Sequence, residues 1–186
     1  MRVISGSARG RRLKELKGME TRPTTDKVKE AVFSAIRFEL DGARVLDLFA
    51  GTGQLGIEAL SGGAESAVFV EKRPDALRLI RENLDLTQFS ANAQVVPGDA
   101  MAYLASVRAP FDIIFLDPPY EGDLLERAIA HIARFDILAP DGIIIAESPV
   151  EKALPQLAAP YRIGREYRYG KIKVTLYRRD AEEKEE

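Results

Sequence analysis

A continuous apolar run that stops at two adjacent prolines is the feature that most restricts how this chain can fold. The run is Ile113–Leu116, and it is followed by Asp117-Pro118-Pro119-Tyr120. Successive apolar residues are typical of a central parallel strand covered on both faces, and prolines cannot continue a strand because they have no N–H donor. Asp117 is therefore predicted at the carboxyl end of a buried strand, at the edge where open α/β sheets bind ligands.

The residues after this strand form a set that suits a planar amine. The carboxylate of Asp117 and the carbonyl of Pro118 can accept hydrogen bonds from an exocyclic NH₂ group, while the ring of Tyr120 can stack on the base that carries it. The alternative interpretation is a strand-ending turn without a further role, since Asp and Pro are ordinary turn residues. Other motifs of the chain bear on this choice.

A glycine motif follows an earlier apolar strand, Arg44–Phe49. Gly51, Gly53 and Gly56 form the pattern G-x-G-x-x-G before a helix that is predicted to begin near Leu55, and Glu71 follows about twenty residues later, at the end of a second strand. Glycine lets the backbone approach a ligand closely, and an acid at this spacing can accept both hydroxyls of an adenosine ribose. The motif thus predicts a nucleotide-type cofactor.

Two classes of protein share this layout, dinucleotide dehydrogenases and methyltransferases. Asp47, four residues before the first glycine, would repel a pyrophosphate but suits the ammonium end of S-adenosylmethionine, either directly or by bracing the loop. The chain also lacks the length for a separate hydride-acceptor domain. Asp99 follows a third predicted strand. It can accept a hydrogen bond from an adenine amino group, or it can cap the helix that begins near Ala100, and the sequence leaves both roles open.

Strands and helices alternate through the fifth predicted strand, Gly142–Glu147. This order predicts a doubly wound, mostly parallel, Rossmann-like α/β sheet with helices on both faces. After Pro155 the alternation ends, and residues 161–169 and 171–178 are predicted to form a hairpin that completes the sheet with an antiparallel edge. We expect the acidic tail, residues 180–186, to be disordered.

The composition excludes several kinds of chemistry. The chain has no cysteine and a single histidine, His131, so thiolate sites and histidine-based triads or zinc sites are not expected. No apolar run approaches the length of a membrane span, and we expect a cytoplasmic protein without a metal. A hydrophobic fraction of 46% suits one globular domain with a sizeable core.

Positive charge is concentrated at the start of the chain. Residues 1–29 contain nine Lys and Arg against three Asp and Glu, although the whole chain has a net charge of −2. We predict two short strands, residues 2–5 and 12–16, joined by a basic turn, and then a helix with Lys27, Lys29 and Arg37 on its exposed side. A basic arm is what a phosphate backbone would favour. Further cations of the C-terminal hairpin can add to this surface or only discourage edge pairing: Arg162, Arg165, Arg168, Lys171 and Lys173.

Together these motifs resemble class I S-adenosylmethionine-dependent methyltransferases that modify exocyclic amino groups. The segments that carry the resemblance are Asp47-Leu48-Phe49-Ala50-Gly51-Thr52-Gly53, Glu71 and Asp117-Pro118-Pro119-Tyr120. Segments near the N-terminus resemble one family within this class, the bacterial RsmD family, whose members methylate N2 of one guanine in small-subunit (16S) ribosomal RNA. These segments are Arg2-Val3-Ile4-Ser5-Gly6, Arg9-Gly10-Arg11-Arg12-Leu13 and residues 22–33. The resemblance runs nearly from end to end.

This resemblance implies a seven-stranded methyltransferase domain over residues 25–179, preceded by an RNA-gripping hairpin over residues 1–24. It implies a monomer that acts on 16S ribosomal RNA or on the small ribosomal subunit. Some family members have Phe at the position of Tyr120, so the ring is expected to matter more than the hydroxyl. The implied residues are Asp47, Gly51, Gly53, Glu71 and Asp99 for the cofactor, Asp117, Pro118 and Tyr120 for the target base, and Arg9, Arg11, Arg12 and Arg22 for RNA.

Other functions use similar motifs. Adenine-N6 methylation of DNA or RNA and methylation of a protein glutamine amide would also use an Asp/Asn-Pro-Pro-aromatic segment. A nicotinamide dehydrogenase and a non-catalytic RNA-binding assembly factor are the alternatives from other classes. The N-terminal segments and the basic arm favour ribosomal RNA, and the intact Asp117 segment and glycine loop favour an enzyme.

Overall fold

The computed structural model describes residues 1–16 and 24–181. Arg22 and residues 182–186 lie outside these ranges, so the roles predicted for them stay predictions. In the described ranges, the helices are all too short or too polar to cross a membrane. The cytoplasmic location, the monomeric state and the domain boundary at residue 24 likewise stay predictions.

In the part of the chain that the structure describes, seven strands form one sheet in the order β3-β2-β1-β4-β5-β7-β6. Strands β1 to β5 pair in parallel, β7 pairs antiparallel with β5, and β6 forms the edge. The predicted fold, including its antiparallel C-terminal hairpin, is confirmed. The strands are β1 (Arg44–Asp47), β2 (Ser66–Glu71), β3 (Ala93–Pro97), β4 (Phe111–Leu116), β5 (Leu138–Pro149), β6 (Tyr161–Tyr169) and β7 (Ile172–Arg179).

Helices cover both faces of this sheet. Apolar residues of α1, α2 and α3 form a core on one face, and those of α4 and α5 form a core on the other. The strand β4 contributes to both, because Phe115 faces the first core while Leu116 faces the second. The helices are α1 (Thr24–Ala35), α2 (Gln54–Ser61), α3 (Pro74–Thr87), α4 (Ala100–Ser106) and α5 (Leu124–Arg134).

The strand order reverses between β1 and β4, at the centre of the sheet. Connections from β1 lead outward through β2 and β3, whereas the chain later returns to the other side of β1 with β4. A crevice opens at the carboxyl ends of strands at such a switch point. The segments after Asp47 and after Leu116 therefore flank the same crevice.

The N-terminal hairpin differs from its prediction. Instead of two strands, the chain forms one isolated antiparallel bridge between Arg2 and Arg12. The reason is that the backbone N–H groups of Ile4 and Ser5 donate to the carboxylate of Glu58 on α2, at 3.0 and 2.8 Å, and not to a partner strand. The hairpin is thus attached to the body of the protein by a side chain.

The prediction that Lys29 lies on the exposed side of α1 is wrong. Its side chain is buried, with Nζ 3.5 Å from a carboxylate oxygen of Glu58, and it donates a 2.8 Å hydrogen bond to the carbonyl of Arg2. A buried ammonium needs such partners because burial otherwise penalises its charge. Lys27, also on α1, is exposed as expected.

Two expectations at the C-terminal end also need correction. Lys173 is buried and lies 3.5 Å from the carboxylate of Glu166, so it cannot contribute to a solvent-facing nucleic-acid surface. Asp180, assigned to the disordered tail, accepts a 2.8 Å hydrogen bond from Arg162 and donates its backbone N–H to Pro160. The ordered chain therefore extends at least through Asp180.

Candidate functional site

A cavity of about 440 Å³ opens at the carboxyl ends of the central strands. Seven of the predicted site residues line it, although they come from four different strand ends of the chain: Asp47, Gly51, Glu71, Asp99, Asp117, Pro118 and Tyr120. Gly53 lies in the same loop but does not line the cavity. The structure thus brings the two predicted sets, for a nucleotide-type cofactor and for a planar amine, into one site.

The three glycines of the motif serve different purposes. Gly51 and Gly53 have φ values of 55° and 79°, in the left-handed region that disfavours other residues. Gly56 is helical, but a Cβ atom there would lie 2.3 Å from the ring of Phe69. The first two glycines shape the loop, and the third allows α2 to pack closely on β2.

Asp47 is buried, with 2% of its surface exposed, and its Oδ2 accepts a 3.0 Å hydrogen bond from the backbone N–H of Gly56. Burial raises the pKa of the Asp47 carboxyl to about 7; the Gly56 hydrogen bond lowers the pKa, and the nearby charge of Glu71 raises it. Of the two roles left open for Asp47, the bracing of the loop is therefore present in the structure.

Glu71 holds the loop from the second strand. Its carboxylate accepts hydrogen bonds of 2.9 Å from three backbone N–H groups, those of Gly51, Lys72 and Arg73. A carboxylate has about four acceptor positions, so most of its capacity is used by the protein backbone. The end of β2 and the glycine loop are consequently fixed relative to each other.

Asp99 caps α4 from the next strand end. Its Oδ1 accepts a 3.0 Å hydrogen bond from the backbone N–H of Ala102, and the residue also lines the cavity. The capping role predicted as one of two possibilities is therefore observed. Contact with an adenine amino group stays a prediction.

The segment after β4 makes a contact that the sequence patterns did not predict. The hydroxyl of Tyr120 donates a 2.6 Å hydrogen bond to Oε1 of Glu147, which also lines the cavity. Glu147 lies near the end of β5, and its signal in the sequence was its position after the apolar run 143–146, by analogy with Asp117 after Ile113–Leu116. The part of the cavity that faces the predicted base thus contains two acidic residues.

The N-terminal segment forms part of the cavity wall, a role that was not predicted for it. Met1, Glu15 and Leu16 line the cavity, and the N-terminal ammonium of Met1 pairs with the carboxylate of Glu15. Because the hairpin is both basic and adjacent to the cavity, a molecule bound along it would reach the site.

Asn83, a fully buried residue of α3, joins this hairpin to the glycine loop. Its Oδ1 accepts a 2.7 Å hydrogen bond from the backbone N–H of Lys14, and its Nδ2 donates to the carbonyls of Lys14 and Thr52 at 3.1 and 3.0 Å. Both polar atoms of the amide are used. The position of the hairpin is thereby coupled to that of the loop.

Arg9, Arg11 and Arg12 are exposed at the hairpin and lie outside the cavity. Arg11 donates a hydrogen bond of 2.5 Å to the carbonyl of Leu86 at the end of α3. Over the residues that the structure describes, His, Cys, Asp and Glu side chains form no group of three or more that could hold a metal ion.

The strand order and the site define the class of protein: a Rossmann-like methyltransferase of class I. The family model with the description "Conserved hypothetical protein 95" matches residues 1–178. The chain belongs to this family, which includes ribosomal RNA small subunit methyltransferase D. The methyltransferase class and the S-adenosylmethionine cofactor expected from the sequence are confirmed.

Three relatives extend over most of the chain. YlbH of Bacillus subtilis, an rRNA methyltransferase by name, is 43% identical over 96% of this chain and 99% of its own length. Ribosomal RNA small subunit methyltransferase D of Escherichia coli K12 is 38% identical over 98% of this chain and 91% of the relative. The Haemophilus influenzae protein of the same name is 34% identical over 83% of this chain and 81% of the relative.

Solved structures agree with this fold. Escherichia coli yhhF, a methyltransferase by name, superposes with a TM-score of 0.88 at 36% identity, covering 98% of this chain and 99% of that chain. An RNA methyltransferase from Salinibacter ruber in complex with S-adenosyl-L-homocysteine superposes with a TM-score of 0.64 at 15% identity, covering 90% of this chain and 98% of that chain. The second likeness concerns the fold alone.

Proposed function

We propose that this protein transfers a methyl group from S-adenosylmethionine to the exocyclic N2 amino group of a guanine in small-subunit ribosomal RNA. One observation carries the proposal: Asp117, Pro118 and Tyr120 line the same cavity as the glycine loop and Glu71. The substrate is supported by the similarity to ribosomal RNA small subunit methyltransferase D, at 38% identity over 98% of this chain.

The residues on the glycine-loop side fit a nucleoside with an ammonium group. S-adenosylmethionine supplies an electrophilic methyl group on a sulfonium centre. Asp47, when ionised, attracts the ammonium and braces the loop, while Asp99 accepts from the adenine amino group. Glu71 accepts from the ribose hydroxyls; since three of its roughly four acceptor positions already bind backbone N–H groups, accepting both hydroxyls requires it to release one of them.

On the opposite side, Asp117 and the carbonyl of Pro118 orient the amine. A guanine amino nitrogen is a poor nucleophile because its lone pair is delocalised into the ring. Holding both N–H groups aims the lone pair at the methyl carbon, and the negative carboxylate stabilises the positive charge that develops on nitrogen. The N–H proton is then lost to Asp117 or to water.

The target base must leave its stack or come from an unstacked loop to reach Asp117. This costs a few kcal/mol, and stacking on the ring of Tyr120 offsets part of it. The exposed arginines of the hairpin, Arg9, Arg11 and Arg12, together with Arg22, neutralise phosphates of the RNA around the site.

The test is to incubate the protein with radiolabelled S-adenosylmethionine and small ribosomal subunits from a strain that lacks it, and then to identify the labelled nucleoside. We expect N2-methylguanosine. Labelled N6-methyladenosine would overturn the base assignment but keep the methyltransferase site. No label on RNA would remove the proposed substrate, and parallel reactions with DNA and protein would show whether another substrate is used.

A further inference from the structure

Glu147 lies beside Asp117, near the end of the neighbouring strand β5. Leu116 of β4 pairs with Ala146 of β5. Asp117 directly follows Leu116 in the chain, and Glu147 directly follows Ala146. Neighbouring parallel strands are about 4.8 Å apart, so the two acidic residues are adjacent. Consecutive residues of a strand alternate between the two faces of the sheet. Because Asp117 and Glu147 each follow a residue of the same pair, both are expected on the face opposite to that of Leu116 and Ala146.

The alternation directs both side chains to the same face of the sheet. Phe115 and Ile145, each two residues earlier, belong to the core on the α1 side, whereas Leu116 and Ala146 belong to the core on the other side. Consistent with this, Asp117 and Glu147 line the main cavity together and also line a smaller cavity of about 40 Å³ on the α1 side. A base held by Asp117 is therefore within reach of Glu147.

The ring of Tyr120 connects Glu147 to the bound base. Its hydroxyl donates to Oε1 of Glu147 at 2.6 Å, so a base stacked on this ring has the Glu147 carboxylate beside its edge. Glu147 is half-buried, and the Tyr120 hydroxyl occupies one of the roughly four acceptor positions of its carboxylate. Further acceptor capacity remains for a ligand donor.

Guanine presents two kinds of donor on the edge that carries its amine. The N2 amino group donates, and so does N1–H next to it, whereas adenine and 2-aminopurine have an unprotonated N1 that only accepts. A carboxylate can accept a hydrogen bond from N1–H, but it is repelled by the lone pair of an unprotonated N1. Discrimination is strong where a site group is left unpaired by the wrong ligand.

We propose that Glu147 accepts a hydrogen bond from N1–H of the target guanine and so selects guanine over bases with an unprotonated N1. This inference rests on the proposed function. Asp117 and Pro118 then hold the amine that reacts, and Glu147 reads the neighbouring ring position. Glu147 is thus a specificity-determining residue, in addition to being the partner of Tyr120.

The experiment compares two RNAs that differ only at the target base, guanine in one and 2-aminopurine in the other. Both bases carry the amino group at C2, but only guanine carries N1–H. We expect the wild-type protein to prefer the guanine RNA in kcat/KM by about tenfold or more, as for one good base-edge contact. Glu147→Gln keeps an oxygen acceptor for Tyr120 but offers N–H donors, so it should lower kcat/KM for guanine and raise it for 2-aminopurine.

Two variants serve as controls. Tyr120→Phe keeps the stacking ring and removes only the hydroxyl that binds Glu147, so any loss of kcat/KM should be small and equal for the two RNAs. Glu151→Gln changes an exposed glutamate four residues further along the chain and should leave both values unchanged. Thermal unfolding and S-adenosylhomocysteine affinity of Glu147→Gln should match the wild type, which separates specificity from loss of folding.

The outcomes distinguish the inference from the proposed function. If the wild type methylates guanine at N2 but Glu147→Gln leaves the guanine to 2-aminopurine ratio unchanged, Glu147 only positions Tyr120 and the inference is overturned. Equal use of the two RNAs by the wild type would also overturn it. If the wild type does not methylate the guanine RNA in any form, including assembled subunits, the proposed function itself fails.

Discussion

Oδ2 of Asp47, at the end of β1, accepts a 3.0 Å hydrogen bond from the backbone N–H of Gly56 in the first turn of α2. This contact closes the glycine loop with a buried carboxyl group. Because burial raises the pKa of Asp47 to about 7, the charge at the base of the loop changes near neutral pH. The loop is thus held by a group that is costly to keep ionised.

Asp47→Asn should stabilise the fold, and more so at higher pH. Between pH 3.8 and about 7 the unfolded chain ionises Asp47 before the folded chain does, so the wild-type free energy of unfolding falls as pH rises. Above pH 7 the full cost is present, about 4 kcal/mol from the shift. Asparagine has no such cost. Urea unfolding at pH 5 and pH 8 should show a gain that is larger at pH 8 by about 3 kcal/mol; an equal gain at both pH values would contradict a raised pKa.

Asp117→Ala should greatly slow methyl transfer and leave cofactor binding largely intact. The substitution removes an acceptor that orients the amine and stabilises its developing charge, which is worth about 10²–10³-fold in kcat for one such group. Turnover with labelled S-adenosylmethionine and calorimetry with S-adenosylhomocysteine measure the two effects separately. Asp123→Ala, at an exposed aspartate beside the same segment, is the matched control. Normal turnover by Asp117→Ala would refute the mechanism.

Lys29→Met should destabilise the protein by about 3–5 kcal/mol, because it leaves the buried carboxylate of Glu58 without its cationic partner. It also removes the donor to the carbonyl of Arg2, so the hairpin should become sensitive to limited proteolysis. Lys27→Met, on the exposed side of the same helix, should change the free energy of unfolding by less than about 0.5 kcal/mol. Comparable urea midpoints for the two variants would show that the buried pair does not stabilise the fold.

Replacing Arg9, Arg11 and Arg12 together by Ala should weaken RNA binding and reduce its salt dependence. Each arginine that no longer neutralises a phosphate reduces the slope of log K against log salt by about 0.9 for a duplex and 0.7 for a single strand. Filter binding between low and moderate salt measures the slope. The matched control replaces Arg108, Arg127 and Arg134, which are exposed after α4 and on α5. If the control reduces the slope and the hairpin variant does not, the RNA surface lies on the opposite face.

Local patterns were sufficient to predict the central strands and the loop. The run Ile113–Leu116 predicted a strand buried on both faces, and its residues do alternate between the two cores. The two prolines predicted its end, and the spacing of Gly51, Gly53 and Glu71 predicted that Gly51 and Glu71 line a common site. These features depend on neighbouring residues or on the general rule that carboxyl ends of parallel strands share an edge.

Predictions failed where a side chain found a partner far along the chain. Helical periodicity showed that Lys29 lies off the apolar stripe of α1, but the hairpin and Glu58 cover that side as well. Lys173 is buried against Glu166 of the neighbouring strand for a similar reason. Periodicity determines which residues share a face, whereas it does not determine what packs against that face.

Patterns in the sequence were therefore enough to predict the alternating fold and the glycine loop. They also predicted that an aspartate, a backbone carbonyl and an aromatic ring lie together at one strand end. The hydrogen bond between Tyr120 and Glu147, 27 residues apart, and the contribution of the N-terminal segment to the cavity wall became visible only in the folded molecule. Burial and hydrogen-bond partners depend on the order in which strands pair, because that order decides which distant side chains meet. In this protein it places Glu147 next to Asp117.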